Sequence, residues 1–307
     1  VPFRIAVDAI NLAADRRGMG RYVRRVLATW ERDPGLELTL LDRATIRAAK
    51  GEGFDAVWYP WNGIRFAAAA RKVVTIHDAF AFTQPHRNLV ARWREQAPIR
   101  RAAREADAFA TVSQWSAGEI SRELGIDRDA IAIAPGAPDA FWEPVPPDGR
   151  DPFVLVVGGP EERKNVRMLR EAFAKAFPRG EVALIDTADA KPTDLELRAL
   201  YANALAVAVP SYAEGYGLPA VEAMACGAPV LAADAAGLPE ACDGAAMLLP
   251  PHDVDAWTNA LREMRDDPTS RGRLRAKSLV RARRIDREAP ARLTLALLRG
   301  VFGPAVE

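Results

Sequence analysis

The chain has 307 residues, 49% of them hydrophobic, enough to fill two cores in domains of about 150 residues each. Its formal net charge of +1 argues against a nucleic-acid binder held by bulk positive charge, and the two cysteines, Cys226 and Cys242, form no CxxC pair and suggest no disulfide framework. No apolar run approaches the roughly 18 residues of a membrane span and no signal peptide opens the chain, so the expectation is a soluble protein of a reducing cytoplasm.

In chain order, Phe3 to Val7 reads as a strand, and Gly18-Met19-Gly20 leads into a helix over Arg21 to Glu31. The glycine pair offers backbone that can be pressed against a ligand, and a plain turn before a helix explains it as simply. Further strands are predicted at Leu36 to Leu41, Ala56 to Tyr59, Val73 to Ile76, Ala108 to Val112 and Ala130 to Ala134, with helical segments between them. His77, followed by Asp78, ends one of these strands. From His86 to Phe109 arginines recur along a helical stretch with Leu89, Val90 and Trp93. That pattern suits a surface helix snorkelling its arginines, and it also suits a helix lying on an anionic membrane. Proline and aspartate crowd Pro135 to Pro152, which reads as a linker and ends the first domain at residue 150.

A second alternation of strands and helices begins at Phe153 and runs to residue 290, with 291–307 as a C-terminal segment. After the strand FVLVV, Gly158-Gly159 precedes Arg163 and Lys164, where two cations can meet one diphosphate; a solvated charge cluster at a helix start is the plainer account. The spacing is not GxGxxG, which disfavours a nicotinamide cofactor. Leu205 to Leu249 then reads as strand, glycine-rich loop, helix, strand, short helix, strand. Glu214-Gly215-Tyr216-Gly217-Leu218 sets two glycines just ahead of a helix that opens with Pro219 at its first position, a place where free amides and the helix dipole favour phosphate. Glu222 falls in the first turn of that helix among small apolar residues. There a ribose diol could supply the donors its carboxylate needs, although the dipole alone also favours a glutamate in a first turn. Gly227 closes the helix. The final segment is strongly basic up to Arg292 and then apolar, with Pro290 interrupting it.

These residues resemble the retaining GT-B glycosyltransferases of the family 4 type, whose signature is a glutamate, an aromatic-glycine loop and a second glutamate eight positions on, here Glu214 and Glu222. FVLVVGGPEERKNVRMLREAF, TVSQWSAGEISRELGIDRDAIAIAPGAP, GMGRYVRRVL and TIHDAFAFTQP are similar to further segments of the family, in the family's order and over most of the chain. The resemblance implies two Rossmann-like α/β domains facing across a cleft, with the last helix crossing back to the first. It also implies transfer of a hexose from a nucleotide diphosphate sugar to a hydroxyl of a glycan, a lipid-linked acceptor or a small molecule, without metal or resident cofactor. By the same likeness, Arg163, Lys164 and the amides of Gly215, Tyr216, Gly217 and Leu218 hold the diphosphate. Glu214 binds hydroxyls of the donor sugar, Glu222 binds the ribose, His77 contacts the sugar or the acceptor, and Gly18 with Gly20 forms the opposing wall. Likeness of the GMGRY and HDAF segments to mannosyltransferase-like members inclines the donor toward GDP-mannose. A membrane-linked acceptor would go with a peripheral contact through 86–109 at the inner membrane face. The family usually carries an additional strand and helix where this chain has only TADAKPTD, residues 187–194, so the nucleotide base is left open, as is whether the domain is trimmed or residues are missing. A catalytically degenerate binding or scaffold protein, and a sugar-nucleotide epimerase or phosphorylase of the same fold, are the competing readings.

Overall fold

The computed structural model describes residues 1–15, 18–46, 53–146, 148–159 and 161–301. The chain divides into two compact units, Val1–Gly136 with Glu288–Glu307, and Ala137–Arg287. The first contains β1 (Phe3–Asp8), α1 (Gly18–Trp30), β2 (Leu36–Leu41), β3 (Ala56–Tyr59), β4 (Arg71–Thr75), α2 (Phe80–Thr83), α3 (Leu89–Glu105), β5 (Ala108–Thr111), α4 (Gln114–Leu124) and β6 (Ile131–Ile133). The second contains β7 (Phe153–Val156), α5 (Val166–Ala176), β8 (Ala183–Asp186), α6 (Thr187–Ala190), α7 (Asp194–Asn203), β9 (Ala206–Val209), α8 (Leu218–Ala225), β10 (Val230–Ala233), α9 (Leu238–Cys242), β11 (Met247–Leu249), α10 (Val254–Asp266) and α11 (Pro268–Arg284). A last helix, α12 (Ala289–Leu298), returns to the first unit.

Each unit is built on one parallel sheet, of six strands in the order β2-β1-β3-β4-β5-β6 and of five in the order β11-β10-β9-β7-β8. The central strands are short unbroken apolar runs, AVWY, FVLV, AVAV and VLAA, buried on both faces, as parallel strands covered by helices must be. The helices bury one stripe each. In α1 this is Tyr22, Val23, Val26, Leu27 and Trp30, a helical spacing, with Trp30 meeting Trp58 of β3 edge-on at 4.9 Å.

Gly18 and Gly20 are not a loop ahead of the helix, as the sequence suggested; both lie in the first turn of α1. A Cβ on Gly20 would sit 1.9 Å from the carbonyl oxygen of Asp15, so the chain entering α1 lies directly on this glycine.

Between the units' cores, the stretch read as a linker is partly structural. The division falls between Gly136 and Ala137, where the sequence placed it after residue 150. Trp142 is buried and packs edge-on against Tyr201 of α7 at 5.6 Å, and the Asp148 amide donates to the Asn203 carboxamide at 3.1 Å. The return falls between Arg287 and Glu288, close to the expected 290/291. Pro290 interrupts nothing: it occupies the first turn of α12, where a missing N–H is harmless. α12 packs on α1, β3, β4 and β5, the Trp30 indole donates to the Ala291 carbonyl at 3.0 Å, and the Arg71 guanidinium donates to Leu297 at 3.0 Å.

The short segment 187–194 contains the single turn of α6 and the start of α7. Thr193 and Glu196 form a reciprocal capping box at that start. Among the described residues no strand separates β8 from β9, and β8 is the edge of its sheet.

Replacing Gly20 by Ala forces the chain at Asp15 away from α1. We expect a loss of about 2 kcal/mol in unfolding free energy, read from urea denaturation; an unchanged midpoint would show that this approach is not tight.

Candidate functional site

The chemistry in the second unit gathers where the loops after β7 and β9 meet. A short 3-10 turn at Glu162–Lys164 carries Arg163 and Lys164, and Asn165, in the left-handed conformation, leads into α5. The Asn165 side-chain amide donates to the Pro210 carbonyl at 3.2 Å and to Pro251 at 2.6 Å, tying this loop to the ends of β9 and β11. The amide of Tyr212 donates to the Arg163 carbonyl at 3.0 Å, a second tie. The two loops are thereby fixed against each other before any ligand arrives.

Glu214 stands at their junction. Lys164 Nζ donates to its Oε1 at 2.6 Å, and an Arg163 guanidinium nitrogen lies 3.4 Å from its Oε2 while donating to the Ala213 carbonyl at 3.0 Å. The three side chains are only 11–19% exposed. Burial pushes the Glu214 carboxyl upward, but Lys164 and then Arg163 override it and hold the group below the ordinary glutamate range, so it is ionised at neutral pH. Lys164 has three N–H donors, and its ammonium is held in place by a carboxylate that uses one of them. The sequence left open whether Arg163 and Lys164 are a solvated charge cluster; their burial and common partner set that account aside.

Beyond Glu214 the loop runs through Gly215 and the buried Tyr216 to Gly217, the N-cap of α8. Leu218, rather than Pro219, is the first helical residue, so Glu222 lies one residue deeper than expected, at the fifth helical position and just past the first turn. A helix dipole acts mainly within the first turn, and Glu222 is 2% exposed, so the dipole no longer explains a glutamate here. α8 lies between its sheet and α11, packing on β9, β10 and α11. One further residue was not singled out from the sequence. Gly237 donates its amide to the Glu214 carbonyl at 3.1 Å, and a Cβ there would stand 2.5 Å from the Gly215 oxygen. The AAGLP stretch, with its glycine just before a helix, was the available signal.

In the first unit His77 follows β4. Its amide donates to the Asn62 side chain at 2.7 Å, its carbonyl accepts from the Ser116 hydroxyl at 2.9 Å, and Tyr22 meets its ring edge-on at 5.0 Å. The ring Nε2 lies 2.9 Å from the Pro60 carbonyl, which can only accept, so Nε2 carries the proton and Nδ1 the lone pair. Burial pushes the His77 pKa down to about 4, against smaller upward pulls from Pro60 and Asp15. His77 is therefore neutral at physiological pH. Beside it a cavity of about 180 Å3 is lined by Asn11, Asp15, Trp61, Asn62, Arg65 and Asp78, among others, a wall that includes amides, carboxylates, one guanidinium and one indole. Only Asp78 of these was named from the sequence. The other two histidines have other partners: His86 Nδ1 accepts from the Asn88 amide, and the His252 ring lies tilted beside Tyr212 with centroids 5.8 Å apart.

Comparison with known proteins covers both units. Residues 5–140 match Glycosyltransferase Family 4, and residues 150–267 match Glycosyl transferases group 1. The O-antigen chain mannosyltransferase B of Escherichia coli is 30% identical over 252 residues, 67% of this chain and 66% of that protein. The MMP alpha-(1->4)-mannosyltransferase of Mycolicibacterium hassiacum is 28% identical over 239 residues, 66% of this chain and 58% of its own length. The match thus spans about two thirds or less of these curated relatives. Among solved structures, Anabaena HepE in complex with UDP and glucose superposes with a TM-score of 0.74 at 14% identity, over 97% of this chain and 100% of that one, a likeness of fold.

Two measurements test these assignments. Because the unfolded imidazole titrates near 6.5 and the folded one near 4, the unfolded chain binds a proton that the folded chain refuses, so stability falls as pH drops through that window, by up to about 3 kcal/mol. The His77 ring resonances should show no titration midpoint above pH 5; a midpoint near 6.5 would contradict the buried neutral ring. Glu214→Gln leaves Lys164 without its counter-charge and should cost about 3 kcal/mol, part of it recovered when Lys164→Met is added; strictly additive losses would show that the pair is not coupled.

Proposed function

Because the chain belongs to the group 1, family 4 glycosyltransferases of GT-B fold, we propose that it moves a hexosyl group from a nucleoside diphosphate sugar to an acceptor hydroxyl with retention of configuration. The observation that carries this reading is the pairing of Lys164 and Arg163 with Glu214, a preformed cationic group on two interlocked loops. In the reaction the bond between the anomeric carbon and the diphosphate oxygen breaks, and the electron pair leaves with the diphosphate. The acceptor oxygen bonds to the same face of the sugar, and its proton passes to the departing diphosphate oxygen. Negative charge grows on that oxygen, so cations held in place before the reaction stabilise the transition state more than the ground state.

The roles follow from that charge flow. Lys164 and Arg163 receive the diphosphate, with the amides from Gly215 to Leu218 as further donors. Glu214, ionised and acceptor-only, orients Lys164 and takes hydroxyls of the donor sugar. Glu222 takes the ribose hydroxyls. Gly18 and Gly20 present the amide end of α1, and Gly20 serves the packing of α1 as well. His77 presents the Nδ1 lone pair, which accepts a hydrogen bond from a sugar or acceptor hydroxyl and, with a pKa near 4, is a weak base. No step requires a metal. The donor inclines to GDP-mannose, supported by the two mannosyltransferase relatives. The acceptor is a hydroxyl of a glycan, a lipid-linked acceptor or a small molecule.

Glu214→Gln should lower the rate of transfer by at least about a hundredfold while nucleotide affinity changes only a few-fold, because the interaction removed lies on the transferred sugar. Turnover assayed by release of nucleoside diphosphate together with a glycoside product checks this. Wild-type turnover in the variant would remove Glu214 from the donor sugar, and nucleotide release without glycoside would refute transfer.

A further inference from the structure

The basic run from Arg271 onward has no task in glycosyl transfer as described so far. It forms α11, and one face of that helix does the same thing at each turn. Arg271 donates to the carbonyls of Met264 and Arg265, in the last turn of α10. The Arg275 guanidinium donates to Ala202, in the last turn of α7, at 3.1 Å. The Ser278 hydroxyl donates to Ala228, in the turn that ends α8, at 2.7 Å, and Arg281 Nε donates to Ala241, in the last turn of α9, at 3.0 Å. Arg271, Arg275, Ser278 and Arg281 are spaced three or four apart, so they share a helix face. The last carbonyls of a helix have no partner inside it and carry the negative end of its dipole, so this face closes the C-terminal ends of α10, α7, α8 and α9.

Arg281 does more than close α9. Its side chain is 17% exposed, and a second guanidinium nitrogen lies 3.6 Å from Asp243, the left-handed residue that ends α9. The Tyr216 hydroxyl hydrogen-bonds to the same guanidinium. Tyr216 is buried and belongs to the loop from Glu214 to Leu218, and that loop rests on α9. A Cβ on Gly217 would stand 2.7 Å from the Leu238 side chain and 3.7 Å from that of Ala241, and the start of α9 at Gly237 lies against the Gly215 oxygen. One guanidinium therefore joins α11 to both the tyrosine of the loop and the helix beneath it. Gly215 and Gly217 have little conformational preference of their own, so the direction of the loop's amides is set by what the loop is fastened to. The planar fork of an arginine serves a carbonyl, a carboxylate and a hydroxyl in fixed directions, which a lysine ammonium does not.

We propose that Arg281 is a positioning residue of the donor site: acting through Tyr216 and α9, it aims the amides of Gly215 to Leu218 at the place where they receive the diphosphate. Arg281 acts through other residues, and its role rests on the glycosyl-transfer reading for the diphosphate that those amides meet.

The test is calorimetric titration of the wild-type chain and its variants with GDP, UDP, ADP and dTDP, with the melting temperature of each protein measured alongside. Arg281→Gln should weaken binding of the nucleoside diphosphate that the wild type selects by about tenfold, the scale of one charged hydrogen bond. Tyr216→Phe keeps the ring and removes only the hydroxyl; it should lose a few-fold, and the double variant should bind no worse than Arg281→Gln. Arg275→Gln is the control. It opens the end of α7 in the same way, so it should lower the melting temperature similarly and leave nucleotide affinity unchanged. In steady-state transfer Arg281→Gln should raise the donor KM and leave the acceptor KM alone, whereas a role in folding only would lower the active fraction, and so the apparent kcat, at unchanged KM. Unchanged affinity in Arg281→Gln, equal affinity losses in Arg281→Gln and Arg275→Gln, or additive losses in the double variant would overturn the role of Arg281 and leave the transfer reading standing. Failure of the wild type to bind any of the four nucleotides or to form a glycoside would refute the transfer reading, and the positioning role with it.

Discussion

The second unit is organised around a carboxylate that has left water and is kept charged by two cations. Glu214 is 8% exposed, and its ionised form survives because Lys164 Nζ stands 2.6 Å away and Arg163 closes the other oxygen. For a pair so placed, geometry decides whether attraction repays desolvation. Here the geometry comes from elsewhere: Asn165 bridges to Pro210 and Pro251, Tyr212 bonds back to Arg163, and Gly237 lets the Glu214 loop lie against the start of α9. The strands β7, β9 and β11 matter to function because their ends supply the carbonyls and loops that aim three charged side chains at one point.

The first unit solves the same problem in the opposite sense. His77 is equally buried, but its partner at Nε2 is a neutral carbonyl, so burial keeps the ring uncharged and fixes its tautomer. The two sites give complementary capabilities: fixed charge that can meet a diphosphate, and a neutral acceptor lone pair that can meet a hydroxyl without competing for the proton of the reaction.

Much of this was legible in the residues. Parallel strands buried on both faces are written as short unbroken apolar runs, so β7, β9 and β10 could be placed to within a residue or two, and the glycine-rich loop between β9 and α8 announced itself by composition. What escaped depends on partners distant in sequence or on a shift of one residue. Gly20 reads as a flexible lead-in until the carbonyl of Asp15 is seen lying against it. The stretch after Gly136 reads as a linker from its prolines, but Trp142 has a pocket beside Tyr201 that composition does not reveal. Pro290 reads as a breaker because the start of α12 was not recognised, and Glu222 was assigned to a first turn because Pro219 was taken as its opening residue when Leu218 is. The cavity wall of Asn11, Asn62 and Arg65 is assembled from two separate loops, after β1 and after β3, and has no local signature.

The most direct test of the account is calorimetric titration of the wild-type chain and of Arg163→Ala with Lys164→Ala, using GDP, UDP, ADP and dTDP. One nucleoside diphosphate should bind the wild type selectively, and the double variant should lose on the order of a hundredfold or more in affinity for it, the scale of two charge-assisted hydrogen bonds. Equal affinity in wild type and variant would place the diphosphate elsewhere and contradict the assignment of the Lys164, Arg163 and Glu214 cluster as the donor site.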